Sequence, residues 1–214
     1  MPIRRCVIAT VLLYANIAMA QGVVSHVPAG GYPRVCFNKQ LREAVRIIDS
    51  ACDRVNCKPH LLKQLNNVDK PTLLAALRDP DLKPLHVFFK YDGATKGDVL
   101  HWNKWKRDQL ASLRLIDRVN SVVYVIGQAS HTSGSSAYNF DLSQRRMETI
   151  TSYLENDLGI KCRAFRGGWL GYDVFQLTPS DAGVLGISSE DYDGDPLVLN
   201  QAVHIFVFPC ADLL

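Results

Sequence analysis

The stretch Gly127–Leu154, GQASHTSGSSAYNFDLSQRRMETITSYL, contains the pattern that decides the fold. It follows an apolar, β-branched run, SVVYVI at residues 121–126, which is typical of a buried strand. Apolar side chains then recur at three- and four-residue intervals over residues 135–158, and Gly159 follows where a helix is expected to end. This part of the chain therefore predicts a buried strand, a polar loop and a long amphipathic helix.

The flanking sequence extends this pattern into an alternation of strands and helices. Further strands are predicted at residues 86–90, 161–166 and 202–208, and a further helix at residues 99–115. The order strand, helix, strand, helix, strand predicts crossover units and a mostly parallel sheet with helices packed on it. Residues 168–199 are rich in Gly, Asp and Ser and too long for a simple turn, so they are predicted to form an insertion before the last strand.

The part of the chain before this domain divides into two regions. Residues 21–35 are rich in Gly and Pro and predict an extended lead-in. Residues 36–84 predict a small helical region, with short helices that open at Pro59 and Pro71. The domain itself is expected to span residues 85–214, and the helical region carries no recognisable chemistry.

The composition excludes several classes of protein. The 214 residues are 47% hydrophobic and 21% charged, close to a soluble globular average, which excludes wholesale disorder and polytopic membrane folds. The formal net charge is +3, and it falls to +1 without the first 20 residues, which contain Arg4 and Arg5 and no acid. A nearly neutral chain has no general attraction for phosphate backbones, so nucleic acid is not expected as a partner.

The first 20 residues read as a secretory signal peptide. Arg4 and Arg5 precede a short apolar run, and Ala18-Met19-Ala20 supplies small residues at a cleavage site before Gln21. The alternative is an uncleaved membrane anchor, which would need about 20 apolar residues. The run is shorter and contains Asn16, so we expect export and no transmembrane span after cleavage.

Export changes the interpretation of the cysteines. In an oxidising compartment they are expected to form disulfides, and no spacing typical of zinc supports a metal site. Cys52 and Cys57 make the best local pair, and Cys162 with Cys210 the best long-range pair, which leaves Cys36 without a partner. The sequence alone leaves the connectivity open.

The long helix carries an arginine on its apolar face. On a helical wheel Arg146 and Asn139 fall within the apolar arc that should face the sheet, whereas Arg145 faces solvent. A buried guanidinium keeps its proton and needs acceptors. One interpretation is a structural ion pair with a neighbouring carboxylate. The other is a ligand site, because the planar fork of arginine binds a carboxylate through two hydrogen bonds.

The motif residues resemble the core of the OmpA-like C-terminal peptidoglycan-binding domain family. The family pattern is Gly-x-Thr-Asp, a short loop containing Gly, then Asn-x-x-Leu-Ser-x-x-Arg-Ala and an apolar helix that ends in Tyr-Leu. The positions of this sequence that match the pattern are Gly127, Gly134, Asn139, Leu142, Ser143, Arg146, Tyr153 and Leu154. The resemblance covers about residues 85–210. It implies an α/β fold (an α+β sandwich) with a β-α-β-α-β-β mixed sheet, preceded here by the N-terminal helical segment.

The resemblance also implies a ligand and a site. The family binds the peptide stem of peptidoglycan without catalysis, through the ammonium and carboxylate of a diaminopimelate side chain. Arg146 then takes the carboxylate, and Asn139 lies beside it. The remaining ligand-binding candidates flank these two in the motif: Ala129, Ser130, His131 and Leu142. The family's ammonium-binding Asp is Ser130 here, and its Asn-Arg-Arg before the last strand is Asn200-Gln201-Ala202. Asp92 or an acid from residues 168–199 is a candidate replacement.

Two functions follow as expectations. The first is a periplasmic module associated with the cell wall or outer membrane, which binds diaminopimelate-type stem peptides more weakly than the family does. The second is an interaction scaffold of an envelope assembly that has lost this ligand and contacts envelope proteins instead. The adjacent Ser130 and His131 lack an orienting acid, and no paired carboxylates suggest hydrolysis, so we predict neither an enzyme nor a cofactor.

Overall fold

The computed structural model describes residues 31, 34–51, 74, 78, 82, 84–114, 121–131, 134–160, 165–172 and 176–210. The predicted signal peptide, the helix expected after Pro59 and the cysteines 52, 57 and 162 lie outside these residues, and of the helix expected after Pro71 only Leu74 is described. Within the described part, no helix is long and apolar enough to cross a membrane.

The domain is an α+β fold built on one four-stranded sheet. Its strands are β1 (Leu85–Phe88), β2 (Val122–Gly127), β3 (Phe165–Trp169) and β4 (Ala202–Phe208). The α-helices, in chain order, are α1 (Lys39–Ala51), α2 (Trp102–Arg114), α3 (Ser136–Ser152), α4 (Pro179–Val184) and α5 (Pro196–Leu199). A π-helical turn, Tyr153–Asp157, continues α3, and Gly159 follows with a positive φ of 64°. Short 3₁₀ helices lie at Arg34–Phe37, Lys96–Asp98 and Ser189–Tyr192.

The sheet is mixed, which confirms the fold that the family resemblance implies, whereas the mostly parallel sheet expected from the order of strands and helices is wrong. The strand order is β1-β4-β2-β3, and only β2 and β3 pair in parallel. Strand β4 lies between β1 and β2 and is antiparallel to both. The reason is the long connection after β3. Gly127, the last residue of β2, lies opposite both Trp169 at the end of β3 and Val203 near the start of β4. The connection therefore begins and ends at the same edge of the sheet, and β4 must run in the opposite direction to β2 and β3.

The third strand is also displaced from its prediction. It ends at Trp169 and not at residue 166, so the first two residues of the predicted insertion belong to the sheet. Gly167 and Gly168 pair with β2 at Val125 and Ile126. These glycines gave no strand signal in the sequence because glycine is depleted in strands.

Both faces of the sheet are covered. One face packs against α2, α3 and the π-helical turn through Trp105, Met147, Ile150 and Leu154. The other packs against the N-terminal segment and the connection before β4, and its core includes Val35, Leu41, Ile187 and Leu199. Residues from the predicted N-terminal helical region and from the domain therefore share one core.

A disulfide joins these two parts of the chain. Cys36 is bonded to Cys210, 174 positions later in the sequence, and both are fully buried. The predicted Cys162–Cys210 pair is therefore wrong, although Cys210 is a disulfide cysteine. The cause is that the 3₁₀ helix Arg34–Phe37 packs beside the end of β4. This proximity in space cannot be predicted from the spacing of the cysteines in the sequence.

Candidate functional site

The motif residues meet where β2 ends and α3 passes over the sheet. A Cβ atom at Gly127 would lie 2.0 Å from the carbonyl oxygen of Ser143, so only glycine permits this close approach of helix and strand. The Ser143 hydroxyl accepts a hydrogen bond from the backbone N–H of Gly171, at 3.0 Å. At the helix start, Ser135 caps α3 by accepting from the backbone N–H of Tyr138. These contacts fix the face that α3 presents to the loop after β2.

Arg146 points inward, as the wheel predicts, and is 0% exposed. Its Nε donates to the carbonyl oxygen of Gly93 at 2.7 Å, and its Nη1 donates to that of Gln128 at 3.1 Å. Its Nη2 donates to Oε1 of Gln201 at 2.8 Å. The guanidinium also lies over the ring of Phe89, with 5.5 Å from Cζ to the ring centroid. The side chain thus joins the loop after β1, the end of β2 and the start of β4.

Within the part of the chain that the structure describes, no carboxylate forms an ion pair with Arg146. Among the described residues, its hydrogen-bond acceptors are three neutral oxygens and no carboxylate. Burial lowers the pKa of Arg146 to about 10, and the nearby charge of Asp92 opposes this shift. The group therefore remains a cation at neutral pH. The interpretation of Arg146 as half of a structural ion pair is wrong for the described part of the chain.

Asp92 lies in the turn after β1, close to this cation. Its φ of 58° is in the left-handed region, which aspartate tolerates better than most residues. Its backbone N–H donates to Oε1 of Gln201, at 3.1 Å, so Asp92 and Arg146 share that oxygen. Its carboxylate accepts a hydrogen bond from the hydroxyl of Tyr138, which raises the pKa of Tyr138. The site therefore contains an anion beside a buried cation.

The other sequence-predicted residues lie around this centre with different exposure. Ala129 and Leu142 are buried and pack with Ala94 in a small apolar cluster. Ser130 and Asn139 are also buried, and Asn139 donates to the carbonyl oxygen of Ser135 at 3.4 Å. His131 is exposed, and its ring meets Tyr172 edge-on at 4.5 Å between centroids. Of these four residues and His131, only His131 is exposed at the surface.

Sequence reasoning missed the three acceptors that hold the guanidinium, Gly93, Gln128 and Gln201. The signal for Gln201 was present, because it stands at the first arginine of the Asn-Arg-Arg pattern that the family has before its last strand. For Gly93 and Gln128 the sequence contained no signal, because both accept through a backbone oxygen, which any residue supplies. Within the described ranges, no group of three or more His, Cys, Asp or Glu side chains could hold a metal ion.

Comparison with known proteins gives matches among solved structures alone. No family model and no curated protein matches the chain. Its structural neighbours are OmpA-like domains. The OmpA-like domain of FopA1 from Francisella tularensis subsp. tularensis SCHU S4 is 26% identical, with a TM-score of 0.42 over 59% of this chain and 73% of that one.

Two further structures resemble the chain. The peptidoglycan-associated lipoprotein from Burkholderia pseudomallei is 18% identical, with a TM-score of 0.41 over 57% of this chain and 89% of that one. The periplasmic domain of MotB from Helicobacter pylori is 16% identical, with a TM-score of 0.39 over 57% of this chain and 70% of that one.

Proposed function

We propose that this protein is a non-catalytic module of the cell envelope that binds the peptide stem of peptidoglycan through Arg146. The observation that carries the proposal is a buried guanidinium whose described acceptors are all neutral. A hydrogen bond between charged groups contributes about 1.5–3 kcal/mol, against about 1 kcal/mol for a neutral one. A ligand carboxylate therefore binds this cation more strongly than the amide oxygen that it would replace.

The site is closed in the state described here. Arg146 is 0% exposed, and the side chain of Gln201 occupies the acceptor position at Nη2. A ligand carboxylate reaches that nitrogen when the Gln201 side chain moves aside. The free energy of this rearrangement is subtracted from the binding free energy, so we expect weaker binding than an open pocket would give.

Asp92 supplies the anion for the ammonium of the ligand. The motif position that carries Asp in the family is Ser130, which is buried. The backbone N–H of Asp92 donates to the same Gln201 oxygen as Arg146. The Asp92 carboxylate lies at the surface, where it accepts a hydrogen bond from the exposed hydroxyl of Tyr138. A diaminopimelate side chain carries an ammonium and a carboxylate on one carbon. This arrangement matches the Asp92 carboxylate and the Arg146 guanidinium, which belong to residues joined through Gln201.

The second candidate is an interaction scaffold that no longer binds peptidoglycan. The observation that favours it is that Arg146 is fully covered and joins three segments of the fold, as a structural residue would. In that case the partners are envelope proteins, and the only role of the Arg146 guanidinium is to stabilise the fold.

Sedimentation with purified peptidoglycan sacculi tests the proposal on the mature chain. We expect the wild-type protein to sediment weakly, Gln201→Ala more strongly, and Asp92→Asn less. The matched control is Arg145→Ala, because Arg145 is the exposed neighbour of Arg146 and pairs with Asp141. That variant should sediment like the wild type.

The scaffold function predicts a different result. Neither the wild-type protein nor Gln201→Ala would sediment with sacculi, and crosslinking in the native envelope would give protein adducts and no glycan-peptide adducts. This outcome would overturn peptidoglycan binding. Since Gln201→Ala and Asp92→Asn leave the guanidinium in place, the test does not depend on how well an Arg146 variant folds.

A further inference from the structure

The turn after β1 fixes the backbone of Asp92 beside the buried Arg146. The backbone N–H of Gly93 donates to the carbonyl oxygen of Lys90 at 3.0 Å, which closes this turn. The backbone N–H of Asp92 is bound to the Gln201 side chain at 3.1 Å. These two hydrogen bonds hold the backbone of Asp92 in place, but they leave the direction of its side chain undetermined.

The hydroxyl group of Tyr138 determines that direction. It donates to the carboxylate of Asp92 across the gap between α3 and the turn after β1. This is the one hydrogen bond of the carboxylate within the described part of the chain. Asp92 is exposed and Tyr138 is 37% exposed, so without this contact the Asp92 side chain would rotate in solvent. Tyr138 therefore confines the anion to one position at the surface.

The ring of Tyr138 is in turn held by the loop before α3. Gly134 has a φ of 115°, which glycine adopts readily and other residues do not. A Cβ atom at this position would lie 3.0 Å from Cδ1 of Tyr138, so the bare glycine backbone leaves room for the ring. The backbone N–H of Tyr138 donates to Oγ of Ser135 at 3.2 Å. These contacts give the glycine of the motif loop a physical role, which is to make space for the side chain that holds Asp92.

An exposed carboxylate that is held in one position is suited to bind a cation from solution. Because its direction is fixed beforehand, it loses less conformational entropy when an ammonium group binds. An ionised carboxylate has roughly four lone-pair positions, and the Tyr138 hydroxyl occupies one of them. The remaining positions are available to a ligand that donates several hydrogen bonds, as an ammonium group does.

We propose that Tyr138 is the positioning residue of an ammonium subsite, in which its hydroxyl group holds the Asp92 carboxylate for the ligand. The inference rests on the proposed function, because this ammonium group belongs to the stem-peptide side chain whose carboxylate binds Arg146. It adds the source of ammonium specificity, which Ser130 does not supply because it is uncharged and buried. The specificity then depends on the contact between α3 and the turn after β1.

Calorimetric titration of the mature chain with two peptides tests the proposal. The first is the tripeptide L-Ala-γ-D-Glu-diaminopimelate. The second carries α-aminopimelate in the last position, which keeps the distal carboxylate but lacks the distal ammonium group. We expect Tyr138→Phe to bind the first peptide about 3- to 10-fold more weakly than the wild type does, which is the effect of losing one hydrogen bond. Its affinity for the second peptide should be unchanged, since that peptide has no ammonium group to place against Asp92.

A double-mutant cycle distinguishes positioning from a general effect on the fold. In the Asp92→Asn background, Tyr138→Phe should have little further effect on the first peptide, because the anion that Tyr138 positions is absent. Tyr153→Phe is the matched control. It removes a tyrosine hydroxyl from the π-helical turn that continues α3, and it should bind both peptides as the wild type does.

Three results would overturn the positioning role of Tyr138: no effect of Tyr138→Phe on either peptide, an equal loss for both peptides, or additive effects in the cycle. Each of these leaves binding of the first peptide by the wild-type protein intact, and with it the proposed function. A wild-type protein that binds neither peptide would overturn the proposed function, and the ammonium subsite with it.

Discussion

The amide oxygen of Gln201 accepts a hydrogen bond from Nη2 of Arg146 at 2.8 Å and a second from the backbone N–H of Asp92 at 3.1 Å. The other end of the same amide, Nε2, is buried and has no partner among the described residues. The orientation of the amide is fixed, because turning it would place its NH₂ group against two donors. Gln201 thus couples the buried cation to the turn that carries Asp92, with one donor left unsatisfied.

The first prediction concerns the substitution Gln201→Glu. The introduced carboxylate should lie against Arg146 and also remove the unsatisfied donor, so we expect the free energy of unfolding at pH 7 to rise by about 1 kcal/mol. Its pKa should be depressed by the cation, so the gain should disappear as the pH falls through that pKa. Urea unfolding of the variant and the wild type at pH 7 and at about pH 2.5, below the ordinary glutamate pKa of about 4.3, measures both effects.

Ligand binding provides the contrast for this substitution. The same carboxylate competes with a ligand for Arg146, so Gln201→Glu should abolish sedimentation with sacculi, whereas Gln201→Ala should enhance it. A destabilisation by Gln201→Glu at pH 7 would mean that the cation is already satisfied by its neutral acceptors, as in the scaffold function.

The second prediction concerns the contact between α3 and β2. Gly127→Ala places a Cβ atom 2.0 Å from the backbone oxygen of Ser143, which a strand and a helix can relieve only by moving apart. We expect the free energy of unfolding to fall by about 3 kcal/mol. Gly183→Ala within α4 is the control. A Cβ there meets no atom within 4 Å, and we expect a gain of about 0.5–1 kcal/mol. Equal effects of the two substitutions in chemical denaturation would contradict this account.

The inward position of Arg146 could be predicted from the sequence, because helical periodicity is a local property. It also placed the first residue of β4 correctly, since an apolar run bounded by a turn marks a strand. The acceptors of Arg146 could not be predicted, because they come from three segments up to 55 positions away along the chain. The same reasoning explains why the pairing of Cys36 with Cys210 was missed: it depends on which segment covers the sheet, and no local pattern records that.

The third prediction concerns this disulfide. A crosslink that closes a loop of 174 positions restricts the unfolded chain, and the chain-entropy relation gives a stabilisation of about 5 kcal/mol. Reduction should therefore lower the denaturation midpoint strongly. The double variant Cys36→Ala/Cys210→Ala should respond much less to reductant, because the predicted Cys52–Cys57 pair would close a far shorter loop. Cys162→Ala serves as the control and should keep the full response to reductant. Peptide mapping that finds Cys210 bonded to Cys162 would contradict the assignment.

The last prediction concerns the pH dependence of stability, which follows from the buried pair of His86 and His204. In the unfolded chain histidine binds a proton below its usual pKa of 6.5, whereas folded His204 binds one only below about 4. Folding therefore excludes protons within this window, so stability is complete above pH 6.5 and falls as the pH decreases towards 4. A separation of this size between the two pKa values corresponds to about 3 kcal/mol for His204 alone.

Double substitution of His86 and His204 by Phe tests this pH dependence. The plot of unfolding free energy against pH, measured by urea unfolding, should become flat between pH 6.5 and 4. His101→Gln should leave it unchanged, because His101 is exposed and pairs with Asp193. A slope in this window that survives the double substitution would assign the acid sensitivity to other groups.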